Sequence, residues 1–268
     1  MTKIIYIGGY GHSGSTLLEY LIAGNPGVLA CGEVVSVLRT RKRRKCTCGQ
    51  LPEECQFWGF VYSKDGRSPR CKTHSQLLSA LVGHIGDRYL ALVDSSKTAW
   101  GALSSPFSLR HTFGEDFLLV HLTRQPAAVC WSVLKKRSPK GRRAGRWLYS
   151  ESFRCGWTSL SWSVANLSCE IFRLIFPRQY RHLRYEDLVR APVEEIGTLL
   201  TSVLPQLRWS EDLSGSDNRH QLFGNSVRYR PLSLEAIRED LRWKTEMPRE
   251  QTLLVLRLTS LLRLRYGY

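Results

Sequence analysis

The chain has 268 residues, 43% hydrophobic and 23% charged, and its 39 Lys and Arg against 23 Asp and Glu give a formal net charge of +16. That length and balance fit one large domain with a substantial core and exclude a disordered or fibrous chain. No run of about eighteen apolar residues occurs, so no membrane-spanning helix is expected, while the charge points to an anionic partner without choosing among phosphorylated ligand, polyanion and membrane surface.

In chain order, KIIYIGG reads as a first strand and STLLEYLIAG as a helix, joined through GGYGHSGST at 8–16. A strand, a loop of small residues and a helix present backbone N–H groups and a positive helix end to a phosphate. Ser13, Ser15 and Thr16 add hydroxyl groups. Gly9, Gly14 and Thr16 nearly match a nucleotide-triphosphate loop, but Ser15 stands where its lysine belongs. An ordinary glycine-rich turn is the competing reading. The N-terminal MTKIIYIGGYG is too short before its glycines for a secretory apolar region. A cytoplasmic protein with most thiols reduced is therefore expected.

Residues 39–75 interrupt the rhythm and read as an insert or lid on a single domain spanning 1–268. They contain the basic run RTRKRRK at 39–45, the turn-forming SKDGRSP, and Cys46, Cys48, Cys55 and Cys71 with His74 nearby. The basic run suits a nucleic-acid or localisation patch, or a solvated loop beside an anionic ligand. C-x-C-x6-C is not a zinc-finger spacing, and a zinc staple, a disulfide staple and buried free thiols all stay open. Cys31, Cys130, Cys155 and Cys169 are scattered elsewhere.

YLALVDSS and DFLLVHLTR follow as second and third strands, each ending on polar residues. Asp94 could serve as the acidic residue that organises magnesium in a nucleotide-triphosphate site, but Lys97 lies three residues on. A site built on Lys97, Arg124 and His12 suits anions without a metal. PAAVCWSVLKK reads as a helix with Pro126 in its first turn. Ser132 and Lys136 share one face of it. With Arg124 they suit a second phosphate, although an arginine paired with a carboxylate is the plainer reading of Arg124 alone. SFRCGWTSLSWSVANLSCEIFRLIF is a long amphipathic helix, YRHLRYEDL a short fourth strand, and APVEEIGTLLTSVL a further helix. A loop at 210–231 carries Arg228 and Arg230, and EQTLLVLRLTSLLRLRY closes the chain as a helix. Near-continuous apolar strands alternating with helices predict an α/β fold, a parallel sheet with helices on both faces. The polar tails of the first three strands then converge at one sheet edge, where such folds bind ligands.

GHSGSTLLEYLIAGNPGV, CGEV at 31–34, CTCGQLPEECQFW at 46–58, VDSSK at 93–97, LLVHLTRQPAAVCWS at 118–132, LRYEDLVRAP at 183–192, HQLFGNSVRYRP at 220–231 and the terminal LRYGY together carry a resemblance. The chain resembles the sulfotransferases that use 3′-phosphoadenosine 5′-phosphosulfate, most of all a bacterial branch whose first motif reads like GRSGST. Its CGE element is also similar to the tyrosylprotein sulfotransferases. The resemblance covers nearly the whole chain. It implies a P-loop-like sulfotransferase fold, that donor as co-substrate, and no metal. It also implies that Gly11, His12, Ser13, Gly14, Ser15 and Thr16 hold the donor's 5′-phosphate. Arg124 and Ser132 would hold the 3′-phosphate with Lys136 and Arg228 as helpers, and Tyr185 would lie near the nucleotide. Lys97 would neutralise the sulfuryl and leaving phosphate groups, and Glu33 would take the acceptor's proton.

Sulfuryl transfer, like phosphoryl transfer, is an in-line displacement that asks mainly for positioning and charge stabilisation. The chain departs from the family pattern in three places. His12 stands where the family has Arg or Lys, so it would serve as the cation. Gln125 replaces an acidic residue after the arginine. Lys97 is followed by Thr98 and Ala99 rather than the Lys-x-His pattern, which places Glu33 ahead of His111 and His121 as base. Trp58, Trp100, Trp147 and Trp157 would line an acceptor cleft or pack in the core or lid. Specificity is expected in 39–75 and 137–157, because binding residues concentrate on loops. The acceptor is expected to be a small molecule or glycan, with acidic groups favoured by the charge and no nucleic-acid partner, and the oligomeric state stays open. Two other functions compete: a non-catalytic nucleotide or nucleic-acid binder on the same fold, and a kinase with an altered loop.

Overall fold

The computed structural model describes residues 2–40, 42–62, 70–99, 101–136, 150–207, 218–230 and 232–268. Strands β1 (Lys3–Gly8), β2 (Val28–Ala30), β3 (Ala91–Asp94), β4 (Phe117–Thr123) and β5 (Tyr180–Arg184) form one parallel sheet in the order β2-β3-β1-β4-β5. Ile5 lies opposite Val93 on one side and Leu118 on the other, which fixes the register at the sheet's centre. β2 was not expected from the sequence. It is only VLA, between Gly27 and Gly32, and three apolar residues carry no period to read.

The helices are α1 (Ser15–Ala23), α2 (Val34–Arg39), α3 (His74–Ile85), α4 (Ser105–Phe113), α5 (Pro126–Lys136), α6 (Glu151–Ile175), α7 (Tyr185–Arg190), α8 (Pro192–Val203), α9 (Trp243–Glu246), α10 (Arg249–Leu258) and α11 (Ser260–Arg265). Successive side chains of a strand point to opposite faces, and both faces here are covered. Ile4, Tyr6, Leu92 and Leu119 pack with Leu77 and Leu81 of α3, Leu109 of α4 and Phe172 of α6. Ile5, Ile7, Val93 and Val120 pack with Leu18 and Ile22 of α1, Leu188 of α7 and Leu200 of α8. Each such side chain removed from water contributes roughly 1.5–3 kcal/mol before entropy is set against it.

The expected insert at 39–75 is anchored in this core. Cys46, Cys55, Phe57, Trp58, Val61 and Tyr62 are buried in the cluster on the α3 face. The segment's basic and polar average conceals those apolar side chains; residues 41 and 63–69 lie outside the described residues. α3 begins with a capping box, Thr73 accepting from the Gln76 backbone while Gln76 reaches back. The terminal helix breaks at Thr259 into α10 and α11. No helix among the described residues is long and apolar enough to cross a membrane.

Candidate active site

In the sheet order, the connection after β1 runs to one side and the connection after β4 to the other. Ligand sites of open parallel sheets form at such a reversal, beyond the carboxyl ends of the strands. A cleft of about 490 Å³ opens there. Gly11, His12, Gly14, Ser15, Thr16, Glu33, Lys97, Arg124, Ser132, Lys136 and Tyr185 all line it, joined by Arg39, Gly224 and Asn225. Ser13 and Arg228 do not line it.

The loop between β1 and α1 needs its glycines at specific points. Gly9 has φ 108° and Gly14 φ 93°, in the region that glycine enters without strain. A Cβ on Gly14 would sit 2.4 Å from Cδ2 of Tyr185, and one on Gly9 would sit 2.4 Å from the carbonyl oxygen of Leu122. Gly11 is different: a Cβ there would meet nothing within 4 Å, so the backbone borders open space on the cleft side. The α1 end is capped by no side chain, which leaves its first N–H groups for a ligand. Ser13 is buried and its Oγ has no partner. This cradle of open backbone, bare helix end and unpaired hydroxyl fits a phosphate.

His12 and Lys97 are the non-glycine residues with left-handed backbone among the described residues, at φ 66° and 68°. Such conformations cost on the order of 1–3 kcal/mol each and concentrate at functional sites. His12 Nδ1 lies 2.8 Å from Ser132 Oγ. Its carbonyl accepts from Arg124 Nη1 at 3.1 Å, and the Arg124 guanidinium stacks 4.3 Å from the centre of the Tyr185 ring. Arg124, buried to 7% exposure, is thus held by the loop and by Tyr185. After it, the Gln125 backbone N–H donates to Glu186 at 2.9 Å, so the turn draws its acidic partner from α7.

Across the cleft, Lys97 pairs with Glu33, the residue before α2. Burial pushes the Glu33 carboxyl up, but the Lys97 charge, hydrogen bonds from Lys97 and Ser36, and the charge of Lys136 together outweigh it and hold the pKa below the ordinary value. The pair is positioned from behind. The Lys97 carbonyl accepts from the Tyr6 hydroxyl. Asp94 is fully buried and accepts from the backbones of Val34 at 3.3 Å and Ser96 at 2.9 Å and from the Ser96 hydroxyl, while its other oxygen meets His74 Nε2 at 2.6 Å. Asp94 therefore orients the two loops that carry Glu33 and Lys97. Glu19 does the same from α1: it accepts the Gly32 N–H at 2.6 Å, and burial pushes its carboxyl up to about 7 against hydrogen bonds from Ser95, Gln221 and Gly32.

Other candidates fall elsewhere. Arg228 is buried, donates to the carbonyls of Leu222, Gly224 and Asn225, and borders a separate pocket of about 190 Å³. It shapes the loop whose Gly224 and Asn225 reach the cleft. His121 is fully buried between Tyr180 and Asn166, and burial lowers its pKa to about 3. His111 lies on α4, outside the cleft. Trp58 is in the core with its Nε1 on the His220 carbonyl, and Trp157 is exposed on α6. Trp100, Trp147 and residues 137–149 of the expected specificity loop lie outside the described residues.

Sequence reasoning did not find Asp94's positioning role, Glu19, or Arg39. A charge inside the apolar run LLEYLIA was the available signal for Glu19. Arg39 belongs to a second recess of about 280 Å³, lined by Glu33, Ser36, Arg39, Thr40, Lys42, Arg44, Phe223 and Gly224. Glu33 lines both spaces.

A model of the sulfotransferase family matches residues 5–210. No curated protein matches. Among solved structures, the chain is similar to a sulfotransferase domain from the curacin biosynthetic pathway, at 19% identity over 97% of each chain with a TM-score of 0.59. It is similar to the sulfotransferase domain of the Synechococcus PCC 7002 olefin synthase, at 16% identity over 100% of this chain and 95% of that one, TM-score 0.60. A mouse sulfotransferase complexed with PAP aligns at 11% identity over 96% of this chain and 82% of its own, TM-score 0.56. At these identities the structural likeness is one of fold.

Proposed function

Because the chain belongs to the sulfotransferase family, we propose that it moves a sulfuryl group from 3′-phosphoadenosine 5′-phosphosulfate to a hydroxyl or nitrogen of an anionic small molecule or glycan, with Glu33 as general base. The observation that carries this reading is Glu33, paired with Lys97 of the cleft and standing at the wall shared by two spaces, the phosphate-fitting cleft and a recess lined by Arg39, Lys42 and Arg44. A reacting centre belongs where donor and acceptor sites meet.

The donor supplies an activated sulfuryl group on a phosphate leaving group. The chain's residues do the rest. N–H groups from Gly11 to Thr16 and the α1 end bind the 5′-phosphate. Arg124, Ser132 and Lys136 take the 3′-phosphate, with the Arg124 fork supplying directional hydrogen bonds and Lys136 a point charge. Tyr185, already against Arg124, borders the nucleotide. His12 supplies the cation at the loop when protonated. Arg228 contributes indirectly, by holding the 222–225 turn.

Lys97 has two roles that exclude each other in time. In the free protein its charge holds the Glu33 pKa down, which makes a weak base. When an anionic sulfuryl group shares the lysine, that restraint relaxes and burial raises the basicity of Glu33. Glu33 then accepts the acceptor's proton, and Lys97 stabilises negative charge on the leaving oxygen. The base is thus strengthened when the donor is in place.

The test is incubation with the sulfated donor, without added magnesium, over an acceptor panel graded by anionic charge, following release of the bisphosphate. The reading expects turnover with anionic acceptors and tight binding of the bisphosphate alone. Neither turnover nor bisphosphate binding would overturn it; bisphosphate binding without turnover on any acceptor would instead favour a non-catalytic nucleotide binder.

A further inference from the structure

Outside the cleft, the described residues bring three cysteine sulfurs and one histidine nitrogen together. The Sγ atoms of Cys46, Cys48 and Cys55 and a ring nitrogen of His220 all lie within 4.8 Å of one another. The sequence placed Cys71 and His74 near the first three, but neither belongs to the group. His74 hydrogen-bonds Asp94, and the fourth position is filled by a histidine 165 residues beyond Cys55.

We propose that Cys46, Cys48, Cys55 and His220 form a structural zinc site. The spacing supports it quantitatively. Tetrahedral zinc with Zn–S of about 2.3 Å and Zn–N of about 2.0 Å requires S···S edges of about 3.8 Å and S···N edges of about 3.5 Å. Cys48 Sγ lies 3.6 Å from Cys55 Sγ, and His220 Nδ1 lies 3.8 Å from Cys46 Sγ and 3.3 Å from Cys55 Sγ. Three soft thiolates and a borderline imidazole favour zinc over hard cations, and a full set of four protein ligands leaves no open coordination position. None of the four lines the cleft.

The ligands are held in place by bonds of their own. Cys46 N–H donates to Gln50 O at 2.8 Å and Gly49 N–H returns to Cys46 O at 2.9 Å, closing a tight turn around Cys48 with Gly49 at φ 89°. Thr47 is stitched to the segment on either side of the histidine: its hydroxyl donates to Arg219 O and accepts from Gln221 N–H. His220 N–H donates to Ala30 O at 2.9 Å, its carbonyl accepts from Trp58 Nε1 at 2.6 Å, and the Phe57 ring stacks on its imidazole with centroids 5.4 Å apart. Cys46, Cys55 and His220 are buried while Cys48 is exposed, which gives an ion an entry corner.

The ion would clamp residues 46–58 and 219–221 against the β2 edge. It would sit directly behind the turn whose Phe223 carbonyl accepts the Glu33 N–H at 3.1 Å and whose Gly224 and Asn225 line the cleft. The site would therefore brace the base and the cleft wall without touching a reactant. It does not depend on the sulfuryl-transfer reading, because its readout is bound metal and not turnover.

The test uses the full chain without a histidine tag, purified reducing and free of chelator. Elemental analysis should find one zinc per chain, released in step with mercurial titration of the thiols. Reconstitution with cobalt should give the visible bands and thiolate charge transfer of a tetrahedral sulfur-rich site. Cys48→Ser, at the exposed corner, should lose the zinc and weaken the charge-transfer band; Cys71→Ser should keep both. Wild-type protein that holds no zinc as purified and takes up neither zinc nor cobalt when reduced would overturn the proposal. So would iron in place of zinc, a Cys48–Cys55 disulfide in the native protein, or metal loss in Cys71→Ser equal to that in Cys48→Ser. Should Cys48→Ser fail to fold, the wild-type zinc content and cobalt spectrum still decide the question.

Discussion

Lys97→Met removes the charge that faces Glu33 and keeps most of the side-chain stem. Two separable effects follow. The first is on the chemical step. A preorganised cation aimed at developing negative charge is worth about a hundred- to a thousandfold in kcat, roughly 3–4 kcal/mol. The second is on the base. Burial alone pushes the Glu33 carboxyl up, and Lys97 supplies the largest opposing influence through both charge and hydrogen bond, ahead of Ser36 and Lys136. Without Lys97 the folded pKa rises, and each unit corresponds to about 1.4 kcal/mol between the two protonation states. A base must be deprotonated to act, so activity falls as pH drops through its pKa. Raising that pKa moves the acidic limb of the kcat/KM profile to higher pH. The assay is bisphosphate release over a range of pH, with bisphosphate affinity measured separately by calorimetry. The reasoning is refuted if kcat falls by less than about tenfold and the acidic limb stays where it is in the wild type.

Two further outcomes can be checked alongside. Bisphosphate affinity should weaken in His12→Ala and be kept in His12→Arg; a dissociation constant unchanged in His12→Ala would remove His12 from the cation's role. Glu19 is buried with its pKa raised from 4.5 to about 7, so the folded state binds a proton that the unfolded state has released in that window. Its contribution to stability is full below pH 4.5 and lost as pH rises through about 7. The loss is on the order of 3 kcal/mol, and Glu19→Gln should flatten that part of the stability profile in urea unfolding, whereas a parallel profile would contradict it.

The central strands and their helices were legible because their apolar patterns are long. FLLVHLT is buried at every position of β4, and LLEYLIA and PAAVCWSVLKK form α1 and α5 where expected. β2 was not legible because three residues carry no periodicity, and its place at the sheet edge is set by pairing with β3, Val28–Ala30 against Ala91–Val93. The loop from Gly11 to Thr16, Lys97 and Arg124 follow readable strands, whereas Glu33 follows the unread β2 and was pointed to only by the resemblance. Asp94 was weighed as a metal ligand, yet its work is to hold the backbones of Val34 and Ser96, a role that depends on packing against α3. His220 could not be joined to Cys46, Cys48 and Cys55, because only the fold closes so long a separation. The basic run at 39–45 was ambiguous as sequence; in the structure Arg39, Lys42 and Arg44 line one recess with Glu33.

Glu33→Gln tests the account most directly. The amide keeps the shape and the hydrogen-bonding reach toward Ser36 but cannot take a proton. With an anionic acceptor and the sulfated donor, turnover should fall by about a hundredfold or more, while calorimetric binding of the bisphosphate stays close to the wild-type value. Unchanged turnover in this variant, or a loss of bisphosphate binding that accounts for the whole fall in rate, would contradict the assignment of Glu33 as the base.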